Sequence, residues 1–305
     1  MKVFLLGASG LIGRNIATAL VTRGHRVFGL ARSEASAACV ASLGVEPVRG
    51  DLADPELWAD RADACDALIQ ASGTFTDDMA DFETRLLNSL LTRMTAPGKR
   101  YLATGGIWLF PAAGSRPTRE DDIMQPTPGF EWAPALLKRV QTAGGLVVHP
   151  AAVWSFRGDL LERFLDPVRL NKVSITVAGG PQVRWPLIEV QDLADLYILV
   201  LEQGEPGQSY LAVAEAGTTQ EELAQAVESG LGRKFARRSL SEANLIATEG
   251  TVAAGYARDL WADGSKAHRA FNWQPRSTSA ARQLAKLARE GRPDLAETDP
   301  GSSPR

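Results

Sequence analysis

The stretch VFLLGASGLIGRNIATAL, residues 3–20, constrains the fold more than any other. It sets Gly7, Gly10 and Gly13 between a short apolar strand and a helix. Such a turn needs backbone without Cβ atoms, and the helix N-terminus behind it is suited to meet a pyrophosphate. A tight structural turn would use the same triplet, but the alternation that follows favours the first reading. Apolar runs at 2–6, 26–30, 45–48, 66–70, 99–103 and 145–149 are mostly separated by helix-length segments such as LIGRNIATALVTRG and DFETRLLNSLLTRM. Strands alternating with helices predict βαβ units, right-handed crossovers and a parallel, doubly wound α/β sheet.

After HPAAVW the pattern breaks. A helical stretch at 159–170 leads to the strand-like KVSITVAG, the long helix VQDLADLYILVLE and a strand at 208–214. Expected from this is a Rossmann-like domain of residues 1–156 plus 185–214. A smaller, mostly helical C-terminal substrate domain would take 157–184 plus 215–290. The polar, Pro/Gly-rich residues 291–305 are expected to be a disordered tail. At 305 residues, two packed units fit better than one.

Composition narrows the function. Net charge is -3 and no basic stripe is present, which argues against a nucleic-acid partner. No apolar run reaches the roughly 18 residues of a membrane span, so no membrane partner is expected. Cys39 and Cys65 form no disulfide framework. His25, His149 and His268 lie too far apart for a local metal motif. The chain begins directly on KVFLL, without a signal-peptide pattern. A cytoplasmic protein, monomer or homodimer, acting on a small molecule is expected.

The GxxGxxG spacing, with RGHRVFGLAR, GDL, LIQASG, TGGIW, HPAAVW, EVQDLADLY and SKAHRAFNWQP, resembles the extended short-chain dehydrogenase/reductase superfamily. Its NAD(P)-dependent epimerase/dehydratase-like branch is the nearest pattern, over about residues 1 to 285. The resemblance implies a pyrophosphate cradle of Gly7, Ser9, Gly10, Leu11, Ile12 and Gly13. Asp51 and Leu52 would contact the adenine, and Ala71, Ser72 and Gly73 would pass under the nicotinamide ribose. Pro150 and Val153 complete the implied cofactor set.

The second strand decides between dinucleotides. An NAD-preferring protein keeps an acid there for the ribose 2'-hydroxyl. This chain has Ala31 and Arg32 instead. A guanidinium would grip a 2'-phosphate, and Arg14 could join it, so NADP is expected over NAD. Two solvated surface arginines are the alternative reading.

The resemblance also implies a catalytic Ser or Thr after the fifth strand, a slot held by Thr104. Its other acid/base element is a Tyr four residues before a Lys, on the next helix. No register of TPGFEWAPALLKRV, residues 127–140, supplies that pair. Pro134 is expected to start the helix, and Lys138 falls about a turn too late, a solvated lysine. A proton could come instead from Thr104, water, Glu131, Asp77 or Asp78, although each of these acids also reads as a plain surface carboxylate.

Four tryptophans, Trp108, Trp132, Trp154 and Trp185, fall where the family lines its cleft, which suits a flat or apolar substrate; core filling is the alternative. Arg184 is one position away from the pyrophosphate-binding Arg of nucleotide-sugar members. His149 replaces the Arg common before Pro-Ala-x-Val. Both points speak for a non-nucleotide substrate. The expected function is an NADP-dependent oxidoreductase of a small carbonyl or alcohol. Alternatives are a non-catalytic NADP(H)-binding sensor or scaffold and a non-redox isomerase or lyase.

Overall fold

The structure is a computed structural model, and it describes residues 1–73, 76, 78–156, 158–277 and 279–291. Asp77 and residues 292–305 of the expected tail therefore lie outside the described residues.

The first strands are β1 (Lys2–Leu6), β2 (Arg26–Ala31), β3 (Glu46–Arg49), β4 (Ala67–Gln70), β5 (Arg100–Thr104) and β6 (Leu146–Pro150). The later ones are β7 (Ala152–Ser155), β8 (Gly158–Asp159), β9 (Ser174–Ala178), β10 (Arg184–Glu189), β11 (Ser209–Ala212), β12 (Glu215–Thr219) and β13 (Ala236–Leu240). Seven of them form one sheet in the order β11-β6-β5-β4-β1-β2-β3, every pair parallel. Continuous apolar runs such as Val3–Leu6, fully buried, suit strands covered on both faces. The strand order reverses between β1 and β4, and ligands of open α/β sheets bind at such a switch point.

The helices over this sheet include α1 (Leu11–Thr22), α2 (Glu34–Ser42), the short α3 (Ala59–Asp63), α4 (Met79–Met94) and α5 (Ala133–Thr142). Further along come α6 (Glu162–Arg169), α7 (Val190–Gln203), α8 (Gln220–Leu231), α9 (Glu242–Glu249), α10 (Ser265–Phe271) and α11 (Ala280–Glu290). Ser33 and Ser36 form a reciprocal capping box at the start of α2. Helix α5 starts at Ala133, one residue before Pro134, with Trp132 as its N-cap.

A second core gathers Trp154, Phe164, Trp185, Leu223 and Leu284. It is less helical than the sequence suggests. A four-stranded sheet in the order β12-β10-β7-β8 and the parallel pair β13-β9 lie within it, beside α6, α8, α9 and α11. Residues assigned by sequence to the substrate domain also return to the first core. Leu260, Ala262, Ala267, Phe271 and Trp273 are buried there because α10 packs on β11 and α7.

Candidate active site

A cavity of about 1020 Å³ opens at the C-terminal end of the seven-stranded sheet, across the switch point. Gly7, Ser9, Gly10, Leu11 and Ile12 line one part of it. Gly7 has φ +82°, and a Cβ there would stand 2.5 Å from the Ala71 carbonyl oxygen. A Cβ on Gly13 would be 1.9 Å from the Gly7 oxygen, so Gly13 packs α1 under the turn and does not line the cavity. At Gly10 only the Gly7 oxygen is close, at 3.3 Å, leaving that site open towards the cavity. The turn thus brings bare backbone and the N-terminus of α1 to one place, a cradle for a diphosphate.

Asp51 and Leu52 line the same cavity, and so do Ala71, Ser72, Gly73, Pro150 and Val153. The Ser72 hydroxyl is buried and has no hydrogen-bond partner among the described residues. An orphaned hydroxyl in a cavity wall fits a ligand's sugar hydroxyl. Arg32 lines the cavity rim, exposed, and its guanidinium makes no hydrogen bond or ion pair among the described residues. Ser33 and Ser36, which sequence reasoning missed, stand beside it. The Ser-x-x-Ser spacing after β2 could have signalled them. Arg14 does not line the cavity, and its guanidinium points to the Cys39 sulfur at 3.8 Å.

Thr104 lines the cavity, yet its hydroxyl is committed. It donates to the Gln70 carbonyl at 2.6 Å and meets the Tyr197 hydroxyl at 2.6 Å. With one proton spent on Gln70, Thr104 accepts from Tyr197. The next two residues, Gly105 and Gly106, line the cavity without side chains, and a Cβ on Gly105 would overlap the His149 ring. His149 is fully buried, and burial pushes its imidazole down to about 3. Its Nδ1 accepts from the Gly106 N–H, so it is a neutral packing group without access to a substrate.

Helix α5 turns Ala133, Leu136, Leu137 and Val140 to the cavity, one apolar stripe at helical spacing. Lys138 is exposed on the opposite side. Glu131 and Asp78 are exposed as well; Glu131 accepts from the Gly129 N–H and Asp78 from the Thr76 hydroxyl. Neither lines the cavity.

Two of the four tryptophans line the cavity and two do not. Trp132, Phe130, Trp108 and Tyr256 form a chain of rings, with centroid separations of 6.5, 6.3 and 4.9 Å. Trp132 is fixed by its Nε1–H donating to the Gly129 carbonyl at 2.9 Å. Trp154 and Trp185 are core residues at 1% and 2% exposure. They sit on β7 and β10, whose small sheet turns these rings into the second core. Trp185 still acts on the site, since its Nε1–H donates to the Tyr256 carbonyl and its ring backs the Tyr256 ring. Arg184 does not reach the cavity because Asp259 takes its guanidinium in two bonds of 3.0 and 2.8 Å.

Sequence reasoning also missed Gln70, Glu83 and Tyr101, all of which line the cavity. Glu83, on α4, is 9% exposed, and its Oε2 accepts from the Gln70 side-chain amide at 2.6 Å. The Tyr101 hydroxyl donates to the other end of that amide. Burial raises the Glu83 carboxyl to about 7, against a smaller lowering by the Gln70 bond. The signal was a carboxylate inside the apolar stripe of an amphipathic helix. Among the described residues, no cluster of His, Cys, Asp and Glu could hold a metal, and no helix is long and apolar enough to cross a membrane.

The fold and this cavity define a doubly wound α/β protein with a candidate dinucleotide site. Residues 7–126 match the model of a family described as NAD(P)H-binding. The uncharacterized protein YLL056C of Saccharomyces cerevisiae is 26% identical over 295 residues, 90% of this chain and 95% of that one. A 4-hydroxy-2-methyl-3-oxo-4-farnesyl-3,4-dihydroquinoline-1-oxide ketoreductase of Stigmatella aurantiaca is 28% identical, over 69% of this chain and 67% of its own. The crystal structure of a Bacillus anthracis dTDP-glucose 4,6-dehydratase in complex with NAD shares the fold. Its TM-score is 0.76 at 15% identity, covering 94% of this chain and 95% of that chain. The chain thus shares its fold with solved epimerase/dehydratase structures, and its first part resembles an NAD(P)H-binding family.

Proposed function

We propose that the protein is an NADP(H)-dependent reductase of a small, non-nucleotide carbonyl compound with a flat or apolar body. The observation that carries the cofactor choice is Arg32. Among the described residues its guanidinium is unengaged at the cavity rim, where an NAD-preferring site would hold an acid. A 2'-phosphate is matched by a planar, permanently charged donor. When bound, the reduced dinucleotide supplies a hydride. The chain's own part is to hold the diphosphate at Gly7–Ile12, seat a ribose near Ser72 and exclude water with the aromatic wall.

The substrate class rests on that wall. Trp108, Phe130, Trp132 and Tyr256 offer ring faces, and Arg184 is spent on Asp259. The ketoreductase relative acts, by its name, on a prenylated ring ketone, which is consistent with such a wall. A second reading, a sensor that binds NADP(H) without turnover, is favoured by the apolar face of α5. Oxidation of NADPH by the purified protein across a panel of aromatic and aliphatic carbonyls, beside a dinucleotide titration, separates the two. Turnover with one ketone or aldehyde class supports the reductase. Tight NADPH binding with no turnover supports the sensor.

A further inference from the structure

A carbonyl reductase lacking the Tyr-x-x-x-Lys pair must still give a proton to the oxygen it reduces. Among the described residues, the side chains expected to do so are spent or distant. The Thr104 proton goes to the Gln70 carbonyl, and Gly105 and Gly106 carry no side chain. Helix α5 is apolar where it faces the cavity, and Trp132 Nε1–H is held by Gly129.

Glu83 is different. It lines the cavity among Met79, Phe82 and Leu87, and no ion pair reaches it among the described residues. Its Oε2 accepts from Gln70 Nε2, which leaves Oε1 to carry a proton. Gln70 ends β4 and directly precedes Ala71–Gly73, and its backbone carbonyl holds Thr104. Glu83 is therefore tied, through one residue, to both the loop and the hydroxyl that mark the reacting end of this fold. Tyr101, on the adjoining strand, is the other ionisable member. Burial pushes its phenol up, so it gives Gln70 a hydrogen bond and keeps its proton.

We propose that Glu83 donates the proton to the substrate oxygen, with Gln70 and Tyr101 as its positioning residues. The inference rests on the reductase reading. In the reduction the carbonyl carbon gains a hydride, and the π pair of the C=O bond moves to oxygen. That oxygen forms a bond to the Glu83 proton as the Oε1–H bond breaks. The resulting carboxylate keeps the Gln70 N–H bond, which strengthens as charge develops. It regains a proton from water after product leaves. A carboxyl still partly protonated near neutral pH is suited to this step.

The test compares wild type, Glu83→Gln and Glu83→Asp, with carboxyl-labelled glutamate followed by ¹³C NMR on protein without cofactor. One carboxyl titrating near neutrality in wild type, and absent from Glu83→Gln, is expected. Turnover should fall on the order of 10²-fold or more in Glu83→Gln, with NADPH affinity kept within about twofold. Glu83→Asp, which retains an acid, should recover part of the rate. Unchanged turnover in Glu83→Gln, equal losses in both variants, loss of rate in step with NADPH binding, or no carboxyl titrating above the usual range each overturn the proposal. Failure of wild type to reduce any carbonyl instead removes the reductase reading on which it rests.

Discussion

The hydroxyl of Thr104 donates to the carbonyl oxygen of Gln70 at 2.6 Å, across the C-terminal ends of β5 and β4. Tyr197, fully buried on α7, gives its own hydroxyl proton to Thr104. Thr104→Val would leave both partners unsatisfied away from water. A loss of about 1–3 kcal/mol in unfolding free energy is expected, read by urea denaturation. An activity loss with unchanged stability would show instead that the hydroxyl turns to the substrate.

The glycine turn separates two effects. Gly13→Ala puts a methyl into the Gly7 carbonyl, so α1 must move off the sheet; both melting temperature and NADPH binding should fall. Gly10→Val meets little protein but fills the diphosphate's place. Circular dichroism should show that Gly10→Val is folded while titration shows no NADPH binding. Retained binding would make the turn purely structural.

Stability should respond to pH through Glu83. Its carboxyl is raised from an ordinary 4.5 to about 7, so between these values the folded chain holds a proton that the unfolded chain has lost. That difference weakens the fold as pH rises, by on the order of 3 kcal/mol once above 7. Glu83→Gln lacks this loss, so its stability relative to wild type should climb from pH 5 to pH 8. His149, lowered to about 3, acts the other way: stability falls as pH drops below about 6.5. It is common to both proteins and cancels in the comparison. A difference that is flat with pH would mean Glu83 is ionised in the fold.

Lys138→Ala should change neither NADPH affinity nor turnover by more than about twofold, since the side chain is exposed opposite the cavity stripe of α5. A marked rise in the dissociation constant would place the lysine on the ribose.

The parallel sheet was legible because its strands are near-continuous apolar runs and its turns are marked by glycine. All seven strands fall within a residue or two of the apolar runs that signalled them. The small sheets of the second core were less legible, since β8 has two residues and β12 reads EAGTT, with no apolar alternation. Trp154 and Trp185 show the limit for the site. Sequence places them near the cleft in chain order, but which face of a strand they take depends on a sheet formed with β12, far along the chain. Glu83 was overlooked for the opposite reason. Its neighbours Met79, Phe82, Leu86 and Leu87 already mark a buried stripe, and the acid inside it is the anomaly.

The dissociation constants of NADPH and NADH, measured by quenching of tryptophan fluorescence for wild type and Arg32→Ala, test the cofactor site most directly. A charged hydrogen bond to the 2'-phosphate contributes about 1.5–3 kcal/mol, so wild type should prefer NADPH by roughly 10- to 100-fold. Arg32→Ala should bring the two constants together, chiefly by weakening NADPH. Equal constants in wild type, or a preference that survives Arg32→Ala, would contradict the assignment.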